Sequence, residues 1–288
     1  MEPIRAPNRR GWEGIELRLD PHSVLSVATR GLLALALALA WLGRSPSPVA
    51  AANCANVPAL AFAGTIETHT NAVRGSSARI EYFNEALCSG LAAGFGTYSA
   101  YWVAVVGQPT AGRNIYQLGV DKCQGTACPA SNPVKTPYYF WAYGRDPGGP
   151  CGNAVDPVPV KASLQPPSSG TVLYSIFRQF VSGQGNFYLA KISGQTQVQI
   201  DAASLETCWG GVDEAQLLNE TLDQGDQSGG IVANAQNWES PLWHNGSAWV
   251  PITRPGFATC EAHDRPTMQC RWDAAGAGQN FWSWDTRY

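Results

Sequence analysis

Short runs of β-branched and aromatic residues recur along most of the chain, separated by Gly, Pro, Asn and Ser. Runs of this kind, bounded by turn residues, are typical of strands in a sandwich or a barrel. After residue 52, no stretch has the 3.6-residue period of an amphipathic helix. The pattern therefore predicts an all-β domain. The expected strands span residues 61–67, 78–83, 97–106, 114–121, 138–143, 172–180, 186–192 and 195–200.

Two of these runs indicate where the core lies. Residues 97–106 are apolar on both faces, which is typical of a central strand. Residues 114–121 alternate, with Tyr116, Leu118 and Val120 in one apolar row. Successive side chains of a strand point to opposite faces, so Gln117 is expected on the other, polar side.

The remaining stretches are less regular. Ser193 and Gly194 are expected to form a tight turn between two strands of a meander. Residues 144–169 are rich in Pro and Gly, and residues 223–230 are polar, so we expect loops there. Residues 215–222 fit a strand or a helix equally well.

The start of the chain has the three parts of an export signal. Residues 31–42 form a short apolar run that follows Arg30 and precedes the small residues at 49–52. The run is shorter than the roughly 20 apolar residues that span a membrane. The less favoured alternative is a buried helix of a cytosolic domain. We expect residues 1–52 to be a signal-peptide region with a start codon set too far upstream, and residues 53–288 to be one secreted domain, extracellular or on the cell surface.

Charge narrows the choice of partners. Residues 1–52 hold six of the 19 Lys and Arg and four of the 22 Asp and Glu, which leaves 13 and 18 and a net charge near −5. Nucleic acids and anionic membranes are bound through basic clusters. The expected partner is therefore an extracellular polypeptide or polysaccharide, with no nucleic acid and no membrane after signal cleavage.

All eight cysteines follow the signal region. An even number of cysteines in an exported chain favours disulfides over free thiols. A zinc site is less favoured because the sequence has no CxxC pair. Cys123–Cys128 and Cys260–Cys270 are the easiest pairs to close, because each spans a short, turn-rich loop.

Three segments with a family resemblance occur in order: YWVAVVG at 101–107, IYQLGVD at 115–121 and YYFWAY at 138–143. GTIETH lies upstream at 64–69, and AQLLNE lies downstream at 215–220. This order resembles the eqolisins, the glutamic peptidases, and secreted bacterial proteins related to them. The resemblance covers most of residues 60–250. It implies an antiparallel two-sheet sandwich of the jelly-roll, concanavalin-like type.

The resemblance also implies site residues. Gln117 stands where the family has its catalytic Gln. Aligning residue 215 with the first Ala of the family's AEWIVE-like strand puts Gln216 and Glu220 at its two acidic positions, so Glu220 is the candidate that keeps a carboxylate. Tyr143 stands where the family's aromatic strand shows Glu. Two of three expected acids are thus replaced, and the chain is expected to be either an acid-acting glutamic endopeptidase or an inactive relative.

A Glu–Gln pair has a defined chemistry. Glu220 would take a proton from water as the water attacks a carbonyl, and the Gln117 carboxamide would donate a hydrogen bond to the oxyanion. No metal and no cofactor are required. The predicted substrate-binding residues are Trp102, Trp141 and Tyr143. The competing interpretation is that Gln117 and Glu220 are ordinary solvated strand residues.

Two further functions remain open at the level of sequence. Exposed Trp and Tyr would suit a carbohydrate-binding module or a cell-surface structural protein, although aromatic residues also dominate cores. A run of acids could hold calcium or act as paired carboxylates, or could be a solvated loop. The aromatic candidates are Trp141, Tyr143, Trp209, Trp238, Trp243 and Trp249, and the acids are Glu206, Asp213, Glu214, Asp223 and Asp226.

Overall fold

The computed structural model describes residues 52–107, 114–129, 136–144, 155–161, 163–252, 261–263, 267–272 and 280–288. The predicted signal-peptide region falls outside these ranges, except for Ala52. Within them, no helix is long and apolar enough to cross a membrane.

The described strands form two sheets. The first contains β1 (Ala61–Thr68), β3 (Gly96–Gly107), β4 (Asn114–Gly125), β5 (Tyr138–Gly144), β6 (Val155–Pro159), β10 (Glu214–Thr221) and β14 (Glu261–His263). The second contains β2 (Gly75–Glu81), β7 (Thr171–Val181), β8 (Gly185–Ile192), β9 (Gln195–Asp201), β11 (Gly230–Ile231), β12 (Gln236–His244), β13 (Trp249–Pro251), β15 (Met268–Trp272) and β16 (Asn280–Asp285).

The strand order confirms the predicted antiparallel sandwich. The first sheet runs β14-β1-β10-β3-β4-β5-β6, and the second runs β11-β16-β12-β2-β7-β8-β9, with β13 on β12 and β15 on β16. Among the described strands, the short pair β11–β16 is parallel and the other pairs are antiparallel.

The main core lies between the two sheets. Tyr116, Leu118 and Val120 of β4 are buried and belong to one apolar cluster with Tyr174 and Ile176 of β7. Burial of the apolar side chains of this cluster, which come from both sheets, stabilises the fold. The alternation read from the sequence therefore assigned the core side of β4 correctly.

Several local predictions are confirmed. For residues 215–222, where strand and helix were both open, the structure has a strand, β10 (Glu214–Thr221). The meander of β7, β8 and β9 is present, and Ser193 (φ 48°) and Gly194 (φ 80°) turn the chain between its last two strands. Positive φ at both central residues is what a two-residue hairpin turn of type I′ requires.

Two local predictions are wrong. Val155–Pro159 lies inside the predicted loop at 144–169 but pairs with β5 as the edge strand of the first sheet. Proline in a sequence argues against a central strand, but an edge strand tolerates proline because its outer N–H groups need no partner. Helix α1 (Ala202–Trp209) was not predicted, because eight residues are too few to establish a helical period.

Disulfides join neighbouring segments of the domain. The predicted Cys123–Cys128 pair is present, and Cys54 is bonded to Cys88. Cys208 and Cys270 are also disulfide-bonded, and no described cysteine has a free thiol. The predicted partner of Cys270, Cys260, lies outside the described residues.

Candidate functional site

The candidate residues lie on the side of the first sheet that faces away from the main core, here called the site face. Directly opposed residues of an antiparallel pair share a face. The register therefore places three successive rows of side chains on β10, β3, β4 and β5. The rows are Glu220–Ala100–Asp121–Tyr138, then Leu218–Trp102–Gly119–Phe140, then Gln216–Ala104–Gln117–Ala142.

Glu220 is held in the first row by two donors. The Tyr98 hydroxyl donates to Oε1 at 2.5 Å, and the Trp102 indole Nε1 donates to Oε2 at 3.0 Å. Both donors belong to β3, the central strand. Hydrogen bonds to an ionised carboxylate are stronger than neutral ones, so they fix the orientation of this side chain.

The middle row makes room for that arrangement. A Cβ on Gly119 would lie 2.7 Å from the Trp102 Cβ and 2.0 Å from the Tyr101 carbonyl oxygen. Any larger residue at 119 would therefore push the Trp102 indole and its hydrogen bond to Glu220 out of place. The close approach of Trp102 and Tyr101 therefore explains why the Gln-x-Gly segment has a glycine at position 119.

Asp121 is the second acid of the first row, and sequence analysis did not single it out. It is 4% exposed, accepts a hydrogen bond at Oδ2 from the Tyr138 hydroxyl, and has no hydrogen-bond partner at Oδ1 within the described residues. The pKa of this carboxyl is raised to about 7, mainly by burial and also by the nearby charge of Glu220, against the Tyr138 hydrogen bond that lowers it. The row therefore holds a buried acid that stays protonated in mildly acidic solution.

The third row brings two carboxamides level with each other. Gln117 and Gln216 both pair with Ala104, from opposite sides. Gln216 Nε2 donates to Oε2 of Glu214 at 2.6 Å, whereas Gln117 makes no side-chain hydrogen bond within the described residues. Both glutamines are partly exposed. The row thus presents one oriented and one unengaged carboxamide.

Gln117 and Glu220 share the face but not a row. Gln117 is opposite Ala104 and Glu220 is opposite Ala100, four residues along β3. That offset amounts to about 13 Å along the strand and about 10 Å across two strands. The catalytic roles given to them from the sequence stay predictions, and the residue level with Gln117 is Gln216.

The three predicted substrate-binding residues divide between the two faces. Trp102 lies on the site face beside Glu220. Trp141 and Tyr143 point to the other side of β5, against the main core, where Trp141 packs edge-on to Tyr116 and Tyr143 stacks on Trp209. The strand β5 brings Tyr138, Phe140 and Ala142 to the site face instead.

The predicted sugar-binding aromatics are mostly packed. Trp209 is 1% exposed and Trp238 is 0% exposed. Trp249 is partly exposed, but its ring is tilted by 63° to Phe177 and by 81° to His244. These rings therefore do not form a flat platform of the kind that stacks on pyranose rings.

Asp226, one of the five acids for which a calcium site, paired carboxylates and a solvated loop were left open, is a buried structural residue. Asp226 is 0% exposed and accepts from Thr97 Oγ1, from the Cys88 N–H at 3.0 Å and from the Asp223 N–H at 3.1 Å. Burial raises its pKa to about 6. The backbone donors are brought to Asp226 only when the loop is folded, so its buried position could not be predicted from the sequence.

Glu85 forms a similar buried anchor that the sequence analysis missed. Its carboxyl accepts from Ser99 Oγ at 2.5 Å and from the Gly229 N–H at 2.7 Å, and burial raises its pKa to about 8. Among the described residues, no group of His, Cys, Asp and Glu is placed to hold a metal ion.

Comparisons with known proteins give a fold likeness. No family model matches the chain, and no curated protein matches it. Two solved structures of scytalidoglutamic peptidase with transition-state analogues are each 12% identical over 80% of this chain and 100% of theirs, with TM-scores of 0.43 and 0.46. The fold distantly resembles that of the eqolisin peptidases.

Two further structures are also similar. SCP-B, a member of the eqolisin family in complex with the tripeptide Ala-Ile-His, is 11% identical over 80% of this chain and 100% of its own, with a TM-score of 0.41. An alginate lyase bound to alginate trisaccharide is 12% identical over 78% of this chain and 67% of its own, with a TM-score of 0.20. At these levels, residue roles must come from the geometry of this chain.

Proposed function

We propose that this chain is a secreted protein that binds an extended polypeptide on the site face and does not cleave it by glutamic-peptidase chemistry. The observation that carries the proposal is the pairing of Gln117 and Gln216 across Ala104. A carboxamide has two N–H donors and an accepting oxygen, which complement the C=O and N–H groups of a peptide bond. Ala104 and Ala142 of the same row are buried, whereas both glutamines are partly exposed.

Hydrolysis by a Glu–Gln pair needs a carboxylate beside the glutamine. A general base must lie within hydrogen-bond reach of the attacking water or be linked to it by one further water. The row of Gln117 has carboxamides at both positions, and carboxamides do not take up protons in the acidic to neutral range. Glu220 lies four residues along β3 from this row, too far to share one water with Gln117.

Gln117 is suited to binding because its carboxamide makes no hydrogen bond with the part of the chain that the structure describes. A polar group with an internal partner must lose that hydrogen bond before it contacts a ligand, whereas an unengaged, partly exposed carboxamide loses only water. Gln216 is held by Glu214, so one of the two contacts is already oriented before binding. The disulfides of the described cysteines fit a place of action outside the cytoplasm.

The test is incubation of the protein with a reduced and alkylated protein substrate at pH 4, 5.5 and 7. We expect the unfolded substrate to be retained by the immobilised protein and recovered intact by mass spectrometry. Glu239→Gln is the matched control, because Glu239 lies on the second sheet in an ion pair with Arg79. Acidic cleavage that is lost in Glu220→Gln but kept in Glu239→Gln would overturn the proposal in favour of hydrolysis by Glu220.

A further inference from the structure

The loop that joins β12 to β13 carries the only Asn-Gly pair of the sequence, Asn245-Gly246. The loop consists of residues 245–248, all of them exposed, and the Asn245 N–H donates to the Ala248 carbonyl at 3.1 Å, which closes the turn. Glycine lacks a Cβ, so its backbone nitrogen is the least hindered in approaching the preceding side chain. The pair is therefore both open to water and sterically unobstructed.

A histidine contacts the backbone nitrogen of this glycine. The Gly246 N–H donates to Nδ1 of His244 at 3.0 Å, and an imidazole nitrogen that accepts a hydrogen bond carries no proton. The ring is partly buried between Phe177, at 6.2 Å, and Trp249, at 5.0 Å between ring centroids. Burial lowers the pKa of His244, which favours the neutral imidazole in neutral solution. The fold therefore holds a base against the Gly246 N–H.

The side-chain carbonyl of Asn245 is held by two donors from the same loop. Its Oδ1 accepts from the Ser247 N–H and from the Ala248 N–H, both at 2.9 Å. Backbone N–H groups aimed at a carbonyl oxygen stabilise the negative charge that develops there when a nucleophile attacks the carbon. The loop thus combines a base at the attacking nitrogen with two donors at the oxygen of the group that it would attack.

We infer that Asn245 is a site of self-catalysed deamidation, with His244 as the base. Nδ1 of His244 takes the proton of the Gly246 amide, whose nitrogen forms a bond to Cγ of Asn245 while the carbonyl electrons move to Oδ1. The bond between Cγ and Nδ2 then breaks, and Nδ2 takes the proton back from the imidazolium and leaves as ammonia.

Water opens the resulting five-membered imide to aspartate or isoaspartate. The net reaction consumes one water and releases one ammonia, so it needs no other reactant. The hairpin gains one negative charge. Because β12 and β13 belong to the second sheet, this inference does not depend on polypeptide binding at the site face.

The test follows residue 245 in the folded protein during incubation at pH 7.5 in oxygen-18-labelled water. Chymotrypsin cuts after Trp243 and Trp249, so digestion releases residues 244–249 as one short fragment. Mass spectrometry then gives the fraction of the fragment in which the amide has become a labelled carboxyl group. Digestion in ordinary water separates deamidation during the incubation from deamidation during the digest.

Three variants are compared with the wild type. His244→Phe keeps an aromatic ring beside Phe177 and Trp249 but has no base. His244→Asn keeps an acceptor for the Gly246 N–H, and an amide oxygen does not take up a proton in neutral solution. His69→Gln is the matched control, because the His69 ring stacks on the neighbouring Trp243 but takes no part in the hydrogen bonds of the loop.

We expect residue 245 to deamidate at least about fivefold more slowly in both His244 variants than in the wild type, and His69→Gln to stay within about twofold of the wild type. A rate that is kept in His244→Asn and lost in His244→Phe would overturn the role of His244 as a base, because a hydrogen bond alone would then suffice. Unchanged rates in both His244 variants, or a wild type that does not deamidate at residue 245, would overturn the inference as a whole.

Discussion

Gln216 decides the chemistry of the site face at the scale of single residues. Its side chain occupies the position level with Gln117, and its amide nitrogen is 2.6 Å from a carboxylate oxygen of Glu214. Replacing the carboxamide by a carboxyl would put two acids in contact. Two such carboxyl groups share one proton, so the pKa of one is raised while the other stays ionised.

Gln216→Glu is therefore expected to create acid-dependent peptide cleavage that the wild type lacks. The new carboxylate stands in the row of Gln117, where a water between them can be deprotonated and the oxyanion can accept from the carboxamide. Release of a quenched fluorescent peptide between pH 3 and pH 6 is the measurement. The gain should vanish in the double variant with Gln117→Leu; cleavage that survives this second change would show that Gln117 has no part in it.

At the scale of single residues, the sequence predicted the face on which a side chain lies but not its neighbours across the sheet. The alternation of Tyr116, Leu118 and Val120 placed Gln117 on the correct face. Only the register of β10 on β3 could show that Gln216 is level with it, because pairing partners are not encoded in the sequence of either strand alone. The buried carboxyl of Asp121 was equally hidden, since it reads as the polar end of a strand.

At the scale of elements, the strands were predictable and the helix was not. All eight predicted runs became strands, and seven of them have a buried apolar face, whereas β9 has only the partly buried Val198 and Ile200. Helix α1 buries Ala202, Leu205 and Trp209 and is defined by its ends: Asp201 accepts from the Ser204 N–H at 2.7 Å, and Gly210 closes it with φ 66°. In so short a helix, the capping residues determine where it begins and ends more than the intrinsic helix propensity of its residues does.

Asp201→Ala is expected to lower the free energy of unfolding by about 1 kcal/mol, the usual effect of removing an N-cap. Urea denaturation followed by tryptophan fluorescence measures it, since Trp209 at the end of the helix is buried. Asp201→Asn is the matched control, because asparagine also accepts from the Ser204 N–H and should keep most of the stability. Equal losses in the two variants would mean that the cap is not what stabilises this helix.

At the scale of the whole molecule, three buried carboxyl groups make the folded state more stable in acidic than in neutral solution. Burial raises the pKa of Glu85 to about 8, of Asp121 to about 7 and of Asp226 to about 6. In the unfolded chain these carboxyls lose their protons near pH 4. Between pH 4 and pH 8 the folded state therefore binds more protons than the unfolded state, and stability falls as pH rises.

The melting temperature is accordingly expected to be highest near pH 4 to 5 and to fall by several degrees by pH 8. Glu85→Gln should flatten part of this dependence, because the amide keeps partners at Ser99 and Gly229 without a titrating proton. Glu239→Gln, at a partly exposed ion pair, should leave the profile unchanged. A melting temperature that rises from pH 5 to pH 8 would contradict this account of the buried acids.

The most direct test of polypeptide binding on the site face is a calorimetric titration of the protein with a neutral extended peptide. Gln117→Leu combined with Gln216→Leu removes both carboxamides. Neither side chain is fully buried, and the Gln216–Glu214 hydrogen bond is the one lost among the described residues, so the fold should persist with an unchanged circular dichroism spectrum. The account predicts at least tenfold weaker binding by the double variant and an intact peptide throughout. Equal affinity of wild type and variant would contradict it.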